Sequence, residues 1–238
     1  MTEAEWLACE DPRPMLVKFK RRKTCERKLR LFACGCCRRF WHYLTEDACR
    51  RAVETAESFA DSRCDIGALE QANSALPDYD PTSLPCTRSE LLFRDLLKAV
   101  MMTTAPPRAI ARKDSLIAFE VARFVSFETR IAAGHVQTGN DPFQFGDQAA
   151  EETAHATLLR DIFGNPFRPV TFDPAWRTRT AVSLAGQMYE SRDFGAMPIL
   201  ADAIEDAGCA SDDVLDHCRG PGPHVRGCWV VDLVLGKE

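Results

Sequence analysis

Apolar residues recur every three or four positions along most of the chain, and no alternating apolar and polar run is bounded by hairpin turns. That pattern predicts an all-α protein. An opening turn at 5–9 precedes a short helix that starts at Asp11-Pro12, an N-cap followed by proline at the first helical position, and runs to about residue 20. Thr24 caps the next helix, over 25–44. Projected at about 100° per residue, Leu29, Phe32, Cys36, Phe40 and Tyr43 share one side of it. Arg27, Arg30 and Arg38 fall opposite, flanked by Cys34, Cys37 and Trp41. The middle, 31–37, is apolar nearly all round, which predicts a helix that runs through the interior with its charged ends emerging.

Thr45 caps a helix to about residue 60 that packs antiparallel to its predecessor, because the connection is short. A weaker helix covers 65–75. Prolines crowd 77–85, so this stretch reads as a surface loop, and 76–87 is the candidate boundary of a sub-lobe. Helices follow over 88–103, stopping before Pro106-Pro107, and over 114–133, ended by Gly134. Asp141-Pro142 opens a long helix to residue 163, ended by Gly164-Asn165-Pro166. Residues 167–172 are expected to be extended or irregular. Further helices cover 174–190, 197–207, with Gly208 at its end, and 212–218, with Ser211 as N-cap. After Gly220-Pro221-Gly222-Pro223, the apolar stretch 225–235 fits a buried strand or a buried helix, and the lack of a partner strand favours helix. The expectation is an irregular multi-helix bundle or helical array of about nine to eleven helices in a single domain, 1–238.

Composition adds little to that picture. Apolar residues make up 45% and charged residues 27% of the 238, proportions that fit a globular core. No apolar run approaches the roughly 18 residues of a membrane helix, and Glu3 and Glu5 stand where a signal peptide carries bases. The expected location is the cytoplasm, with no membrane partner. Eleven cysteines stand at 9, 25, 34, 36, 37, 49, 64, 86, 209, 218 and 228. The odd count and the adjacent Cys36-Cys37 fit poorly with full pairing, so reduced thiols acting as small buried hydrophobes are expected.

Four phrases carry a resemblance: Trp6-Leu7-Ala8-Cys9-Glu10-Asp11-Pro12, Arg27-Lys28-Leu29-Arg30-Leu31-Phe32-Ala33-Cys34, Asp161-Ile162-Phe163-Gly164-Asn165-Pro166-Phe167-Arg168-Pro169 and Gly222-Pro223-His224-Val225-Arg226-Gly227-Cys228-Trp229. The chain resembles, over nearly its whole length, an uncharacterised bacterial helical family with no assigned function. The resemblance implies a bacterial protein and transfers neither a catalytic residue nor a ligand.

Candidate chemistry is sparse. The signatures G-x-x-x-x-G-K-[ST], H-E-x-x-H, G-x-S-x-G and G-x-G-x-x-G are absent from the sequence. Zinc is the first lead: Cys34 and Cys37 form a C-x-x-C pair, and Cys218, His224 and Cys228 add thiolate and imidazole donors near the other end. The spacing matches no standard module, and the competing reading is of buried thiols on a crowded helix. A redox role for Cys34-Gly35-Cys36-Cys37 lacks the helix N-terminus that lowers a thiol's pKa. Glu152-x-x-His155 has the spacing of half a di-iron site but has no second pair.

The second lead is electrostatic. Residues 13–51 hold thirteen Lys/Arg against three Asp/Glu, within a chain of net charge −5. Lys18, Lys20, Arg21, Arg22, Lys23, Arg27, Lys28, Arg30, Arg38 and Arg39 form a basic segment along which a phosphate backbone fits. A basic segment that instead faces the chain's acidic remainder explains the same pattern. With catalytic motifs missing, the leading expectation is a non-catalytic helical module whose partner is another protein. The alternatives are a nucleic-acid-binding protein using 18–39 and a zinc-stabilised structural protein.

Overall fold

A computed structural model describes residues 1–19, 26–78, 88–104, 114–136 and 147–237, and these form twelve α-helices, one 3-10 turn and no strand. The fold is an all-α helical array. Two compact units are distinguished, one of Met1 with residues 8–156 and one of residues 2–7 with 157–238. The division falls inside a helix, between Ala156 and Thr157, and not in the segment 76–87 marked as a candidate boundary in a single domain.

The first unit is organised around α3 (Glu26–Arg39), in which every residue from Leu29 to Cys37 is buried. Small side chains make that possible: Ala33, Cys34, Gly35, Cys36 and Cys37 allow neighbouring helices to approach on all sides. Those neighbours are α4 (Asp47–Ala60), α6 (Arg88–Thr103) and α7 (Asp114–Ala133). The expected interior helix is therefore present. It ends earlier than its apolar pattern, because Phe40, Trp41 and Tyr43 bond three residues back and tighten the chain into turns. Glu46, not Thr45, occupies the N-cap position of α4.

On α4, the buried positions Cys49, Ala52, Val53 and Ala56 make a stripe at helical spacing. Around this core lie α2 (Pro12–Val17), capped by Asp11, and α5 (Ile66–Ser74), whose N-cap Asp65 accepts the Ala68 N–H at 3.0 Å. Asn73 of α5 donates to Met101 O at 3.0 Å and to Thr104 Oγ1 at 2.7 Å, fixing it to the end of α6. The helix expected over 141–163 is seen as α8 (Gln148–Phe163), with Asp147 Oδ1 capping the Ala149 N–H at 2.8 Å. Residues 141–146 lie outside the described residues.

The second unit contains α1 (Glu3–Ala8, through Leu7), the later half of α8, α9 (Arg179–Ser191), α10 (Met197–Glu205), α11 (Asp212–Arg219) and α12 (Trp229–Leu235). At α1, expected only as a turn, Thr2 Oγ1 accepts the Glu5 N–H at 3.2 Å while Glu5 Oε2 accepts the Thr2 N–H at 2.7 Å. This reciprocal capping box starts the helix. The helix expected over 174–190 is split by two start signals: Asp173 caps a 3-10 turn, Pro174–Trp176, and Thr178 caps α9.

The core of this unit combines Ala185, Met188 and Tyr189 of α9 with Leu200 and Ile204 of α10, Val214 and Cys218 of α11, and Val230, Val231 and Val234 of α12. The stretch 225–235 is thus helical in its second part. Gly164 ends α8 at φ +63°, and a Cβ there would stand 3.1 Å from the Trp229 ring. Glycine meets both the left-handed backbone and the close approach.

Candidate metal centre

Four side chains converge inside the second unit. Asp161 comes from the last turn of α8, where Leu158, Leu159 and Ile162 form the buried stripe around it. His217 lies on α11 beside buried Val214 and Cys218, His224 follows the Gly220–Pro223 break, and Cys228 occupies the N-cap position of α12.

Asp161 Oδ1 is 2.8 Å from His224 Nδ1 and 3.2 Å from His217 Nε2. Cys228 Sγ is 3.2 Å from His217 Nε2 and 4.0 Å from His224 Nδ1. One donor atom from each of the four lies within 4.8 Å of all the others. Bonds of roughly 2.0–2.3 Å to a tetrahedral zinc ion separate its ligand atoms by about 3.3–3.8 Å, and these spacings bracket that range.

The surroundings fit a centre of low dielectric. Asp161 is 3% exposed, and its other oxygen, Oδ2, accepts the Val225 N–H at 2.9 Å. Burial alone would raise its carboxyl, but the hydrogen bonds from His217 and His224 outweigh that and hold it below the ordinary carboxylate value. Burial, and then the neighbouring Asp161 charge, push the Cys228 thiol well up, while backbone N–H groups of Val231 and Val230 favour its thiolate. The His217 ring packs against His224, 4.9 Å between centroids, and against Trp229 at 5.1 Å.

Of the five residues the sequence suggested as ligands, His224 and Cys228 take part. Cys218 is buried in the core next to Cys209, its thiol pushed up to about 12 by burial and then by that neighbour. Cys34 and Cys37 belong to the first unit, mid-helix in α3, and burial pushes both thiols well above their ordinary value. Among the described residues, the cluster at Asp161 is the group with metal-binding geometry. Asp161 and His217 were missed by sequence reasoning. The available signal for Asp161 was an acid placed in the apolar stripe of a helix; His217 had none beyond its seven-residue spacing from His224.

Those remaining candidates that fall among the described residues are engaged inside the first unit. Arg27 pairs with Asp61 at 3.0 Å, and the buried Arg30 donates to Thr103 O and lies over the Phe59 ring. Arg38 grips the buried Glu57 through two hydrogen bonds, 2.5 and 3.0 Å, with its guanidinium over Trp41. Arg39 does the same to Glu151, at 2.6 and 2.8 Å. Lys18 and Lys28 are half-buried, and Lys20, Arg21, Arg22 and Lys23 lie outside the described residues.

His155 joins no di-iron pair with Glu152, which instead meets Arg130 at 3.3 Å. Its Nε2 is 2.9 Å from Glu151 Oε1, and its Nδ1 is 3.0 Å from Ser126 Oγ. That is the order of a serine, a base and an acid, yet His155 is fully buried and Ser126 is 5% exposed. A nucleophile must be presented to substrate, so we read this as an internal hydrogen-bond network. The raised thiols of Cys34, Cys36 and Cys37 likewise oppose a redox role for that run.

Comparison of the chain with protein-family models, with curated proteins and with solved structures finds no match.

Proposed function

We propose that this chain is a non-catalytic helical protein whose C-terminal unit holds a structural divalent metal ion at Asp161, His217, His224 and Cys228. The observation that carries this reading is the convergence of four donor atoms from three separate segments within 4.8 Å. Catalytic metal sites keep a position open for water or substrate, whereas four protein donors fill a tetrahedron. The ion would join the end of α8 to α11 and to the start of α12, elements that close a core of modest size. Its contribution is folding free energy, because the unfolded chain has no preformed site. The protein's working role then falls to its surface, as an interaction module toward other proteins, since the buried acids and arginines of its interior are occupied with one another.

Elemental analysis of the full chain, purified without affinity metals under reducing conditions, tests the reading. It predicts about one equivalent of bound metal per chain, and loss of that equivalent in His217→Ala and Cys228→Ser. Metal absent after reconstitution, or equal metal in both variants, refutes it.

A further inference from the structure

Resting on that reading, we infer that the centre is built for zinc itself, because it offers one carboxylate oxygen, two imidazole nitrogens and one thiolate in a closed cage of charge −2. Three features of the cluster lead there.

The first is the way Asp161 is held. A free carboxylate can bind an ion through both oxygens and so help build five- or six-coordinate shells. Here the Oδ2 atom is occupied by the Val225 N–H at 2.9 Å, and only Oδ1 faces His217 and His224. The hydrogen-bond donor sits next in the chain to the ligand His224, so closing the loop onto the ion and turning Asp161 into a one-oxygen ligand are the same event. The site therefore supplies four donors, and ions that prefer six, nickel and magnesium among them, are left short.

The second is charge. Asp161 as carboxylate and Cys228 as thiolate carry −2 together, with both histidines neutral when they ligate. The two charged ligands, Asp161 and Cys228, are buried, so an uncompensated charge is costly. A divalent ion brings the total to zero, whereas a monovalent ion such as copper(I) leaves −1 in the same place.

The third is donor softness. One sulfur and two imidazole nitrogens suit a borderline ion, and the hard cations calcium and magnesium gain little from them.

Metal-stripped full-length protein, kept reduced, is titrated with zinc, cobalt(II), nickel(II) and magnesium in competition with a chromophoric chelator. Zinc is expected to bind roughly tenfold or more tightly than nickel, against the usual divalent order, and magnesium not to compete. Cobalt is expected to show the intense visible bands of a tetrahedral ion, with a thiolate-to-cobalt band that disappears in Cys228→Ser. Asp161→Asn, which removes one charge and keeps an oxygen, is expected to weaken zinc by on the order of 10–100-fold. Nickel as tight as zinc, a weak octahedral cobalt spectrum, or unchanged zinc affinity in Asp161→Asn overturns the inference while leaving metal binding in place. Failure of all four ions to bind overturns it together with the reading on which it rests.

Discussion

Glu151 offers a quantitative test of the polar network that closes the first unit. Its carboxylate is 7% exposed, accepts both Arg39 bonds and lies 2.9 Å from His155. Burial opposes the charge, but the hydrogen bonds from His155 and Arg39 dominate and bring the carboxyl down to about 2 from an ordinary 4.5. Because the folded value lies below the unfolded one, the charged form stabilises the fold above about pH 4.5, and that contribution is lost as pH falls toward about 2. At about 1.4 kcal/mol per unit, the interval is worth about 3 kcal/mol. Urea unfolding followed by circular dichroism, at steps between pH 7 and pH 2, compares the wild type with Glu151→Gln. The wild type is expected to lose about 3 kcal/mol more than the variant across the acid range, the difference removing every other carboxylate. Parallel stability curves for the two proteins would refute the assignment.

Three further perturbations probe the same account. Arg38→Ala removes the two-bond guanidinium contact to Glu57, 2% exposed, and is expected to cost about 3 kcal/mol in urea unfolding, with Glu57→Gln in the same chain recovering most of the loss. Gly164→Ala places a Cβ against Trp229 at a left-handed position and is expected to cost about 1–2 kcal/mol in thermal unfolding; an unchanged melting temperature contradicts the close approach. In native protein, Cys34, Cys36 and Cys37 are expected to resist a thiol reagent that modifies half-buried Cys9 and Cys64, as located by mass spectrometry; rapid labelling of the three would show that α3 is not enclosed.

The helical class and the enclosed α3 were legible because one helix leaves its signature in neighbouring residues: nine consecutive positions around Phe32 lack an exposed face, and small side chains dominate them. Local signals were readable for the same reason, a helix start at Asp11 and a helix end at Gly164. The capping box of Thr2 and Glu5 was equally local and was overlooked as a turn. Arg30 is the opposite case: it sits on the charged side of the projection, yet tertiary packing buries it and gives it the Thr103 carbonyl.

The candidate centre was half legible. His224 and Cys228 stand four residues apart and invite a metal reading. Asp161 is remote from both in sequence, and only the folded chain brings it to them. The cysteine pair in α3 drew attention through spacing alone, although spacing three apart within a covered helix directs both thiols into packing.

Crystals of the full chain loaded with one equivalent of zinc, with diffraction recorded on both sides of the zinc absorption edge, test the central claim most directly. The account predicts a single strong anomalous peak bonded to Asp161 Oδ1, His217 Nε2, His224 Nδ1 and Cys228 Sγ at about 2.0–2.3 Å. A map with no peak among those four atoms, or with the zinc held by Cys34 and Cys37 instead, would contradict it.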